Sequence, residues 1–275
     1  MKRGLIFTMS IFFVFVALFA LLSALGLRVR MLEGRAVDDA AVYALRHARD
    51  DLARAVLRSG GVNRTSVAVS ASAKNVTLLG NIVLASDFDS LLEDEITFYE
   101  TYVKPKNHLD VNWINPDFRF SIEPHGTDMR FENGYVEAVT ADHGQLDAVH
   151  ILLSFPVEVD AIGSSPDDGE PCTQVSVVTE DPSGESEVSV CWAATDSNLL
   201  EIERAADSEV VCSVGYGRSS GVNGTFFIDS DIATLRELTF SYNNTGDLVW
   251  LETDQEIGLN LGPQDLHAEL VFLET

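Results

Sequence analysis

Val149-His150-Ile151-Leu152-Leu153-Ser154-Phe155-Pro156-Val157-Glu158-Val159 places an apolar side chain at every odd-numbered position. Successive side chains of an extended chain point to opposite faces, so a two-residue period puts all six on one side of a β-strand. The stretch therefore reads as one long strand with one buried face. His150 alternates away from the apolar row and is expected at the surface.

The same period continues in both directions. Upstream, Val67, Val69 and Ala71 alternate with Ser66, Ser70 and Ser72, and Val76 to Leu84 adds a second apolar run around Gly80-Asn81, which together predict a strand pair. A short helix interrupts, opening at Ser86 with Asp89 as a capping-box pair. Its Phe88, Leu91, Leu92, Ile96, Tyr99 and Tyr102 share one face and read as core. Strand signals resume at Leu109 to Trp113, Phe118 to Ile122, Met129 to Phe131 and Tyr135 to Val139. Downstream, runs at Val175–Val178, Val188–Trp192, Val210–Val214, Thr225–Ile228, Leu238–Tyr242, Leu248–Leu251, Ile257–Leu261 and Leu266–Phe272 are separated by turn formers such as Pro182-Ser183-Gly184. Short strands at this spacing predict an antiparallel sandwich. The segment Gly163 to Pro171 has turn formers and acids without a large apolar side chain, and it marks a domain boundary or long loop.

The N-terminal part has another character. After Met1, Lys2, Arg3 and Gly4, the 23 residues Leu5 to Leu27 carry no charge. As a helix they would reach about 34 Å, enough to cross a hydrocarbon core of about 30 Å. A cleaved secretory signal is the alternative, with Ala24-Leu25-Gly26 as its cut, but a signal's apolar region spans only about 7 to 15 residues. Val37, Ala41, Ala44, Leu45, Ala48, Leu52, Ala55 and Val56 then recur at three- and four-residue steps, and Ser59-Gly60-Gly61 closes the pattern, predicting an amphipathic helix that continues the anchor. The expected fold class is thus α+β: a transmembrane helix over 5–27, an amphipathic helix over 28–60, an α+β head over 61–162 and a β-sandwich over 163–275, with 1–4 a possible leader.

Lys2 and Arg3 on one side of the apolar run and Arg28, Arg30 and Arg35 on the other leave orientation nearly balanced. Four sequons, at Asn63, Asn75, Asn223 and Asn243, have meaning only outside the cytoplasm and favour an extracytoplasmic C-terminal body. Removing Lys2 and Arg3 from the 18 basic residues leaves 16 against 43 acidic ones, net -27. A field of that sign repels nucleic acid, which is not expected as a partner. The acidic, lysine-poor composition suits high salt, cation binding or simple solubility alike.

Cys172, Cys191 and Cys212 suit one disulfide and one remaining thiol, with three pairings open. Zinc is disfavoured, since no Cys-x-x-Cys occurs and no histidine lies between Cys172 and Cys212. Asp229-Ser230-Asp231 and Asp167-Asp168 could give oxygens to calcium but lack EF-hand spacing, so no cofactor is assigned. His108, His125, His143, His150 and His267 are scattered, and no catalytic motif appears. The cluster Asp142, His143 and Asp147 reads as a hydrophilic loop. A non-enzymatic role is expected.

Lys2-Arg3-Gly4 before Leu5-Ile6 resembles the processing site of archaeal type IV prepilins, and an apolar helix that continues into an amphipathic one and carries a β head is similar to pilins and archaellins. The resemblance covers about the first 60 residues. It implies cleavage between Gly4 and Leu5, assembly through the N-terminal helix and partners among the membrane, pilin-like subunits or envelope proteins. Phe7 to Ile11 lacks the acid that bacterial-type pilins carry after the cut. The expected function is a surface-exposed structural or adhesive protein; the competitor is a non-polymerising anchored module that binds an envelope glycan or protein. An anchored hydrolase is disfavoured.

Overall fold

The computed structural model describes residues 49–103, 110–114, 119–141, 146–164, 172–193, 198–218, 224–243, 248–261 and 264–274, together with Tyr43, Arg46 and His47. Arg49–Thr275 forms one compact unit. Among the described residues its elements are helix α1 over 49–59, then β1 (Val62–Val69), β2 (Ala73–Val83), helix α2 (Phe88–Phe98) with a π-helical turn Tyr99–Val103, β3 (Asp110–Ile114), β4 (Arg119–Glu123), β5 (Thr127–Glu132), β6 (Tyr135–Thr140), β7 (Leu146–Ser154), β8 (Val159–Ser164), β9 (Thr173–Asp181), β10 (Gly184–Trp192), β11 (Asn198–Arg204), β12 (Val210–Arg218), β13 (Gly224–Asp229), β14 (Thr234–Asn243), β15 (Trp250–Leu261) and β16 (Gln264–Glu274).

This corrects the expected α+β class. The described chain is predominantly β with two short helices, and no helix among the described residues is long and apolar enough to cross a membrane. The apolar run Leu5–Leu27 and most of the expected amphipathic helix lie outside the described residues. The described helix ends at Ser59, and it buries Leu52, Ala53, Val56 and Leu57 where the three- and four-residue spacing pointed to Leu52, Ala55 and Val56. From Val62 onward a two-residue period dominates, and it cannot be folded as helix without turning half its apolar residues to water.

The strands form two sheets. One runs β1-β2-β14-β7-β9-β10; the other runs β16-β15-β4-β5-β6-β13-β12-β11-β8, with β3 on β15. Their facing sides share one buried cluster, including Val76, Leu78, Val149, Ile151, Phe240 and Trp192 from the first and Phe120, Phe131, Val214, Tyr216, Phe226 and Ile228 from the second. The body is a β-sandwich. Among the described residues the strand pairs are antiparallel except β7 with β9. The expected single strand from Val149 to Val159 divides at Pro156, which offers no N–H to a ladder. β7 stays in the six-stranded sheet, Phe155 donates its N–H to the Glu180 carbonyl at 2.8 Å, and β8 enters the ten-stranded sheet. Strands from both sides of residues 163–171 share each sheet.

Two tyrosines span the sandwich. Tyr242 of β14 donates to Thr127 Oγ1 of β5 at 2.9 Å, with the His125 ring stacked on it at 4.1 Å. Thr173 of β9 donates to the Tyr216 hydroxyl of β12 at 3.2 Å. Burial pushes both phenols above their ordinary range, so each stays a neutral hydroxyl inside the core. His125, scattered in the sequence, is a core residue.

The β9–β10 hairpin is fastened by Asp181. Its carboxylate accepts from Ser183 Oγ at 2.6 Å, Ser183 N at 2.7 Å, Gly184 N at 3.1 Å and, across to β8, Val159 N at 2.8 Å. The Ser183 hydroxyl bond, followed by the Val159 backbone bond, holds its pKa below the ordinary 3.8. A carboxylate with a lowered folded-state pKa contributes stability above its unfolded value and loses it as pH falls through the folded one. Asp181→Ala is therefore expected to melt below the parent at pH 7, with the gap closing as pH drops below 3.8. A gap that is unchanged between pH 7 and strong acid would show that the carboxylate's charge is not what fastens the hairpin.

Candidate binding face

The outer side of the ten-stranded sheet carries an aromatic platform. Register places Arg130, Glu137, Phe227, Gly215 and Leu199 in one row across β5, β6, β13, β12 and β11. The next row is Glu132, Tyr135, Asp229, Ser213 and Glu201. Val214 and Tyr216 point into the core, so Gly215 faces outward, and the Phe227 ring lies over its Cα where a methyl group would collide with it. This is aromatic cover of a strand glycine. The Tyr135 ring stacks nearby, with centroids 5.9 Å apart and planes at 23°.

Acids rim the two rings. Burial, then Glu137, Asp229 and Glu132, raise the Tyr135 phenol above its ordinary pKa, so it remains a hydroxyl in a negative surrounding. Arg130 pairs with Glu132 at 2.6 Å, while Leu199 is 36% exposed at the far end of the first row. Half-buried aromatic faces beside carboxylates and hydroxyls can hold a polyhydroxylated ring, whose C–H face lies on the aromatics, or a cationic side chain. Sequence reading missed this site. The signal was the alternation of Gly215, Tyr216 and Gly217, which leaves two glycines on one face for a neighbouring ring to cover.

The outer side of the six-stranded sheet is a row of short polar groups, Ser66, Thr77, Thr239, His150, Ser176 and Ser189, one per strand. They satisfy one another. Thr77 and Thr239 hydroxyls lie 2.9 Å apart, Thr239 donates to Glu237 at 2.9 Å, and Ser176 and Ser189 donate to Glu187 at 2.9 and 3.3 Å. His150 is half-buried in the row, its Nδ1 3.4 Å from Ser176 Oγ. In a nucleophilic triad the histidine stands between hydroxyl and carboxylate and takes the proton. Here the serine stands between, and its proton points at Glu187.

The other residues singled out in the sequence fall as follows. Cys172 and Cys191 are disulfide bonded, with Cα atoms 5.5 Å apart, at the end of the β9–β10 hairpin. Cys212 is a free thiol buried in the core, its pKa pushed up to about 12 by burial, so it is neither nucleophile nor ligand at neutral pH. Asn63 is exposed on β1, Asn243 is exposed at the end of β14, and Asn75 is half-buried within β2. Ser230 donates to the Val211 carbonyl at 2.8 Å and accepts from Ala233 N at 3.1 Å, which ties Asp229-Ser230-Asp231 into a turn. Among the described residues no three His, Cys, Asp or Glu side chains are arranged to hold a metal ion. Gly4, Leu5, Asp142, His143, Asp167, Asp168 and Asn223 lie outside the described residues. No family model, curated protein or solved structure matches the chain.

Proposed function

We propose that this chain is an extracytoplasmic structural or adhesive protein, held at a membrane through the charge-free run Leu5–Leu27 and pilin-like in being processed at Gly4 and brought together there with like subunits or envelope proteins. The observation that carries the reading is the Cys172–Cys191 bond, since disulfides persist in oxidising compartments outside the cytoplasm. The sequons agree with that side of the membrane. In lipid, association comes from close packing, for which Ala17, Ala20, Ser23 and Ala24 supply small side chains.

A second reading, a non-polymerising binding module, is favoured by the Phe227–Tyr135 platform. Mass spectrometry of the N-terminus, with cross-linking in native membranes, separates the two. The pilin-like reading expects chains that begin at Leu5 and cross-link to neighbours, with both properties lost in Gly4→Phe. Chains that begin at Met1 and remain monomeric would leave the binding module, in which Phe227→Ala should abolish capture of envelope glycan or protein by the purified chain while leaving the chain in the membrane.

A further inference from the structure

We propose that Asn63 carries an N-linked glycan and that Asn75, twelve residues on in the same sheet, does not; the proposal rests on the extracytoplasmic reading above. Both begin a sequon, Asn63-Arg64-Thr65 and Asn75-Val76-Thr77, so sequence alone treats them alike. Their backbones differ. β1 is the outermost strand of the six-stranded sheet, and its register on β2 steps from Val62↔Gly80 to Arg64↔Leu79, which leaves Asn63 as an extra residue without a cross-strand partner. That is a β-bulge on a sheet edge, where the strand is bent and the inserted residue is unpaired. Asn63 and Arg64 are both exposed.

Asn75 sits inside β2 with Ala68 of β1 on one side and Ser241 of β14 on the other. Its Oδ1 is buried without a hydrogen-bond partner, and the hydroxyl that completes its sequon, Thr77 Oγ1, lies 2.9 Å from Thr239 Oγ1. A transferase reaching Asn75 would have to break a central strand, whereas Asn63 needs only an edge that is already irregular.

The transfer is from a saccharide carried on a lipid phosphate. Asn63 Nδ2 attacks the anomeric carbon and a C–N bond forms. The anomeric C–O bond breaks, the phosphate leaves with its electron pair, and the amide gives up one proton to a base. A glycan there would also shield the outermost strand of the sheet from pairing with other chains.

The test is glycopeptide mass spectrometry of the full chain from native membranes, beside protease treatment of intact cells. A saccharide mass increment is expected on the peptide bearing Asn63 and not on that bearing Asn75, lost in Thr65→Ala and kept in Thr65→Ser. An increment on Asn75 overturns the proposed selection. An unmodified Asn63 in chains that protease shortens on intact cells overturns the glycan and leaves the extracytoplasmic reading standing; an unmodified Asn63 in chains that protease cannot reach overturns both.

Discussion

Gly80→Ala is expected to lose about 3 kcal/mol of stability and to loosen the join between α1, β1 and β2. Gly61 closes α1 at φ +80°, and its carbonyl accepts from Asn81 N at 2.8 Å, which brings that turn directly onto β2 at Gly80. A Cβ at Gly80 would strike the Gly61 carbonyl oxygen and lie 3.0 Å from the Val62 Cα. Both neighbours are backbone, so no rotamer change relieves the collision, and the turn must lift off the sheet. Urea unfolding of the parent and variant, with hydrogen exchange at Asn81, reads the effect. A variant within 1 kcal/mol of the parent would mean the turn is free to move and does not pin the first strand pair.

Trp192→Ala should lose about 4 kcal/mol, within the usual range for truncating a buried aromatic. Trp192 is fully buried at the end of β10, opposite Thr173, beside the disulfide. Its Nε1 is buried without a hydrogen-bond partner, so part of its packing gain is offset by an unsatisfied donor. Trp192→Phe removes that donor and keeps a ring, and it is expected to lose well under half as much. Equal losses in the two variants by thermal and urea unfolding would show that the indole's own shape, and not aromatic volume, holds that corner.

Much of the β body was legible because its period is two. β1 with β2, the apolar faces of β7 and β14, and the Pro182-Ser183 turn follow from alternation and turn chemistry. The misreadings have local causes. Asp87 and Ser90 have the same spacing as Ser86 and Asp89, and the helix starts one residue later because Asp87 caps the Ser90 N–H at 3.1 Å while Phe88 enters the core. Tyr102, assigned to the buried face, is exposed because the chain widens into a π turn after Phe98. The parallel β7–β9 pair could not be read, since it depends on β8 leaving for the other sheet at Pro156. Helical spacing before Gly61 predicts a long rod; the described residues hold its last turns as α1, and the rest lies outside them. The Phe227–Tyr135 platform went unseen because two of its parts are nearly a hundred residues apart and meet only through β6–β13 pairing.

Whether the β body works outside the cytoplasm is tested most directly by the state of its cysteines in living host cells. Thiols would be trapped by alkylation in intact cells and the chain mapped without reduction. Cys172 and Cys191 are predicted to be linked in essentially every chain, with Cys212 the one thiol and alkylated only after unfolding, since burial keeps it protonated and covered. Finding Cys172 and Cys191 both alkylated in cells would contradict the claim.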